Sequence, residues 1–62
     1  MTIEELYQVF DNVNRWTKFY IISGGGDTLE WGSLYQDIPD EVRSMPIEYI
    51  KYNDGEITIW VP

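Results

Sequence analysis

Two runs rich in β-branched and aromatic residues flank Asn53-Asp54-Gly55 near the C-terminal end: Ile47-Glu48-Tyr49-Ile50-Lys51-Tyr52 before it and Glu56-Ile57-Thr58-Ile59-Trp60-Val61 after it. An Asn-Asp-Gly step between such runs is the strongest short-range signal for a β-hairpin. Two registers are open. A two-residue turn at Asp54-Gly55 sets Tyr52 opposite Ile57 and Ile50 opposite Ile59. A three-residue turn with a Gly55 bulge slips the pairing by one and puts Ile47 and Tyr49 on the face of Ile57, Ile59 and Val61. In either register, strand alternation places Trp60 on the face away from the Ile57/Ile59/Val61 row. A tryptophan there has either a second cover or solvent around it.

The rest of the chain must pack on this hairpin or extend it. Thr2-Ile3-Glu4-Glu5 is a capping box, and Ile3, Leu6, Tyr7, Phe10 and Val13 follow at steps of three or four. The spacing predicts an amphipathic helix of about three turns, ended by Asn12 to Asn14. Trp16 to Ile22 reads as a strand, with Thr17, Phe19 and Ile21 on one face and Trp16, Lys18, Tyr20 and Ile22 on the other. Neither face is polar, which suggests a sheet contacted on both sides. Ser23-Gly24-Gly25-Gly26-Asp27 links it to a partner strand, Thr28 to Gly32. The three glycines do not make a phosphate cradle: no Lys-Ser/Thr follows, no helix N-terminus receives the anion, and Asp27 repels it. Between the hairpins, Asp37-Ile38-Pro39-Asp40-Glu41 resembles the opening of a short helix, with Ile38, Val42 and Met45 on one side and Pro46 as its stop.

The expected fold is therefore α+β: a single domain, residues 1–62, with the N-terminal helix packed on a four-stranded, mainly antiparallel sheet. The element order is α-β-β-short helix-β-β. How the two hairpins join is left open by the pattern.

Size and composition narrow the function. Sixty-two residues lie near the lower limit for independent folding, and without cysteine no disulfide can staple them. The ten aromatics (three Trp, five Tyr, two Phe) exceed what one helix and a small sheet can hide, so a leftover patch is expected for self-association or for a partner. Eleven acidic residues against four basic ones leave a net charge of −7, which repels nucleic acid and anionic membranes. Solubility alone is the plain account of such a charge; a basic protein partner is the informative one.

With neither His nor Cys, Ser-His, Cys-His and zinc constellations are excluded. The adjacent carboxylates Asp37, Asp40 and Glu41 sit where helix capping explains them, and no stretch has calcium-loop spacing. No enzyme activity, cofactor or metal is expected. The candidate partner-binding residues are Trp16, Tyr20, Trp31, Tyr49 and Trp60, with Asp37, Asp40 and Glu41 as the acidic component. No leader or membrane-span pattern is present and the chain opens on Met, which reads as a complete cytoplasmic protein.

The opening Met1-Thr2-Ile3-Glu4-Glu5-Leu6, Trp31-Gly32, Asp37-Ile38-Pro39 and the terminal Ile57-Thr58-Ile59-Trp60-Val61 together resemble small acidic proteins encoded in prophages and mobile elements of Gram-positive gut bacteria. The glycine run at 24–26 departs from that pattern. The resemblance carries no catalytic residues. It implies a phage protein acting in the host cytoplasm, for which an inhibitor of host defence, such as an anti-CRISPR that binds a basic nuclease, is a reasonable expectation. The alternative is a self-associating structural or accessory protein.

Overall fold

A computed structural model describes Met1–Pro62. The order of elements is α1 (Ile3–Val9), β1 (Lys18–Ser23), β2 (Thr28–Ser33), a single 3₁₀ turn (Tyr35–Asp37), α2 (Asp40–Arg43), β3 (Tyr49–Asn53) and β4 (Glu56–Val61). The strands form one sheet in the order β2-β1-β4-β3. Both hairpins are antiparallel, and they meet through a central parallel pair, β1 with β4. The expected α+β architecture is the observed one.

The C-terminal hairpin takes the two-residue register. Asn53 pairs with Glu56, Tyr52 with Ile57 and Ile50 with Ile59. The turn needs positive φ at both central residues, and Asp54 (47°) and Gly55 (82°) supply it. The alternative, with Ile47 and Tyr49 on the buried face, is not adopted.

The core lies on one side of the sheet. Phe19 and Ile21 of β1 and Ile57, Ile59 and Val61 of β4 have no exposed surface. Burying each of these side chains contributes roughly 1.5–3 kcal/mol. Ile3 and Leu6 of α1, Val13 and Ile38 close over them, with Tyr35, Val42, Met45 and Ile47 packed at the margin. The covering layer is thus α1 together with the whole connection between the hairpins. The short helix ends at Arg43, ahead of its expected stop at Pro46; Pro46 bridges to Thr2, and the Ile47 amide donates to the Met1 carbonyl at 2.7 Å.

Two elements are shorter than their patterns predict. The capping box forms, with the Thr2 amide donating to Glu5 Oε1 at 2.8 Å and the Glu5 amide donating to Thr2 Oγ1 at 3.2 Å. The helix nevertheless ends at Val9, with Phe10 extended (φ −95°, ψ 108°). Phe10 and Val13 still reach the core, from a loop. Strand β1 begins at Lys18 instead of Trp16. Asn14 is the reason: its side-chain oxygen accepts from the Trp16 amide at 2.8 Å while its own amide donates to Thr17 Oγ1 at 2.9 Å. This local turn competes with strand pairing.

Candidate functional site

The face of the sheet opposite the core carries no covering element. The register places its side chains in three rows across the strands. Lys18, Glu56 and Asn53 form the first. Trp31, Tyr20, Thr58 and Lys51 form the second, and Ile22, Trp60 and Tyr49 the third. Trp31 is 72% exposed and Tyr49 61%, on the two edge strands, while Tyr20 and Trp60 are half-buried between them.

These four aromatics make two ridges. Tyr20 and Trp31 meet edge to face with centroids 4.7 Å apart; Tyr49 and Trp60 pack at a tilt, 5.1 Å apart. Between the ridges lies a hollow of about 400 Å³ with Ile22 and Thr58 among its lining residues and Lys51 and Glu56 beside them. A second hollow, of about 550 Å³, continues past Trp60 and Tyr49 to Gly24 and Gly26 of the first hairpin loop. The Tyr20 hydroxyl donates to Glu56 Oε2 at 2.8 Å. That bond to Glu56 holds the phenol's pKa above its usual range, with partial desolvation and the carboxylate charge acting in the same direction.

The sheet sorts the ten aromatics. Tyr7 stacks on Tyr35 at 3.8 Å, Tyr35 leans on Phe19, and Phe10 packs on Tyr52, all on the covered side. Tyr20, Trp31, Tyr49 and Trp60 occupy the open side. Trp16 belongs to neither: it is 69% exposed in the turn before β1, with the Arg15 guanidinium 5.2 Å from its ring centroid.

The acidic candidates are elsewhere. Asp37, Asp40 and Glu41 are exposed on the 3₁₀ turn and α2, in the covering layer. Asp40 pairs with Arg43, whose guanidinium also lies 5.0 Å from the Tyr35 ring centroid. The eight candidate partner-binding residues named from the sequence therefore divide between two opposite faces, with Trp16 apart. Spacing along the chain does not reveal this, because the connection between the hairpins crosses the core side of the sheet before β3 begins.

Charge follows the same division. In the covering layer, α1, the 3₁₀ turn and α2 hold Glu4, Glu5, Asp37, Asp40 and Glu41, five of the eleven acidic residues, against Arg43 alone. The open face holds Lys18 and Lys51 against Glu56, with Glu48 at its rim. Sequence reasoning set Lys18 and Ile22 on the face of Tyr20 but did not name them, or Lys51, Thr58 and Glu56, as binding residues. Alternation outward from Tyr20 and Trp60 is the signal that places them on the open face.

No group of three or more carboxylates converges in a metal-binding arrangement, and no buried side-chain polar atom lacks a hydrogen-bond partner. No helix is long and apolar enough to cross a membrane. Comparison with known proteins adds no relatives: no family model, curated protein or solved structure matches the chain.

Proposed function

We propose that the chain is a non-enzymatic, acidic protein-binding module whose covering layer docks on a basic protein of the kind that handles nucleic acid. Within the phage resemblance, such a module is an inhibitor of a host defence nuclease, a CRISPR effector included. The observation that carries the proposal is the segregation of charge: five carboxylates against one guanidinium on the helices and turn of one layer of a 62-residue domain. A nucleic-acid channel lined with Lys and Arg is complementary to such a surface. The pairing accelerates encounter and weakens as salt screens it. The lack of His and Cys favours a binding role over nucleophilic or zinc-dependent catalysis.

The test is a titration of the protein against a purified RNA-guided nuclease at two salt concentrations, with the triple variant Asp37→Asn, Asp40→Asn, Glu41→Gln alongside. Binding is expected to weaken at least about tenfold between 50 and 200 mM salt, and the triple variant to associate more slowly. Binding that ignores both salt and the triple substitution, or no binding, refutes the proposal.

A further inference from the structure

The acidic layer leaves the aromatic face without a use. We propose that this face is a self-complementary contact joining two copies of the chain about a two-fold axis parallel to the strands, midway between β1 and β4. The proposal is independent of which outside partner the acidic layer meets.

Three observations carry it. The first is charge. A molecule of net charge −7 repels its own copies over most of its surface, and the open face is where that repulsion is absent, because Lys18 and Lys51 offset Glu56 and Glu48.

The second is register. A two-fold axis along the strands exchanges β1 with β4 and β2 with β3 and leaves each row facing itself. In the first row Lys18, paired with Glu56 in the sheet, comes to lie over the partner's Glu56, and Glu56 over the partner's Lys18. In the second row Trp31 faces the partner's Lys51, a cation over an indole, and Tyr20 faces the partner's Thr58, a large side chain over a small one. In the third, Ile22 meets the partner's Trp60. An axis across the strands through the second row does the reverse: it sets Lys51 on the partner's Lys51 and Glu56 on the partner's Trp60. Charge complementarity selects the axis along the strands.

The third is area. Four strands about 4.8 Å apart and five to six residues long offer a footprint of about 350 Å², or roughly 500 Å² of accessible surface per copy once side-chain relief is included. The total, about 1,000 Å², lies at the lower end of specific interfaces, where weak and transient contacts fall. Aligned sheet packing about 10 Å apart suits the half-buried Ile22, Tyr20 and Trp60 of the central strands. Both acidic layers then face outward.

Sedimentation velocity of the purified protein over about 1–500 μM tests this, with Lys18→Glu and Glu56→Lys alone, mixed in equal amounts, and combined in one chain. Wild type is expected to pass from 7.4 kDa to twice that mass. Each single swap is expected to weaken association at least about tenfold by setting like charges face to face. The equimolar mixture and the doubly swapped chain restore it, since each then regains two opposite-charge pairs. Far-UV circular dichroism of each variant establishes that it is folded. A wild type that stays monomeric throughout overturns the proposal. So do single swaps that associate like wild type, or a mixture that stays as weak as its components.

Discussion

Replacing Ile38 by alanine asks whether the connection between the hairpins is part of the core or a loop laid over it. Ile38 follows the 3₁₀ turn, its amide donating to the Tyr35 carbonyl at 3.1 Å, and is only 2% exposed. Alanine removes three buried carbons, worth about 2.4 kcal/mol in transfer terms, and the cavity left behind raises the cost to about 3 kcal/mol. A domain of this length is stable by roughly 3–9 kcal/mol in all. One methyl-rich side chain in an irregular segment thus accounts for a third or more of the total. Ile22→Ala is the control: it sits in a central strand, a position that looks more structural, but on the open face, and its cost is under about 1 kcal/mol. Urea unfolding followed by far-UV circular dichroism measures both, at about 1 μM to stay below any self-association. With a slope of about 1 kcal/mol per molar, the Ile38→Ala midpoint falls by about 3 M and that of Ile22→Ala by less than about 1 M. Equal losses, or an Ile38→Ala midpoint within about 0.5 M of wild type, refute this account of the core.

Two groups make the fold sensitive to pH in opposite directions. The Thr2 amide, then the Thr2 hydroxyl contact, holds the Glu5 carboxyl below its usual value of 4.5. A depressed folded-state pKa stabilises above the unfolded value and ceases to do so as pH falls through the folded one. Thermal unfolding between pH 6 and pH 2 therefore shows an acid-side loss that Glu5→Gln diminishes; an unchanged acid limb rejects the capping role. Tyr20 is raised above 10.0 by its bond to Glu56, so its contribution is full below the unfolded pKa and disappears as pH rises through the folded one. In an absorbance titration the Tyr20 phenol ionises late, and Glu56→Ala, which removes the acceptor as well as the charge, lowers its pKa. A Tyr20 phenol that ionises as late in Glu56→Ala as in wild type contradicts the assigned cause.

Local chemistry in the sequence determined more of this protein than its length suggests. Thr2 and Glu5 mark the helix start because both halves of a capping box lie within four residues. Asn53-Asp54-Gly55 marks the turn because positive φ demands such residues. Alternation then fixes Trp60 against Ile57, Ile59 and Val61 without reference to anything distant. Phe10 and Val13 follow helical spacing yet reach the core from a loop, and Trp16 follows strand spacing yet is held out of β1 by Asn14. In both places a short-range pattern yields to competing backbone geometry. Strand order is a non-local property: nothing near Lys18 or Glu56 in the chain announces that they will be neighbours 38 residues apart. The parallel pairing of β1 with β4 carries the connection, with Asp37, Asp40 and Glu41, across the core side. The same pairing leaves Tyr20, Trp31, Tyr49 and Trp60 together on the uncovered face. That separation of carboxylates from aromatics comes from packing one apolar face of the sheet under the available cover, with no cover remaining for the other.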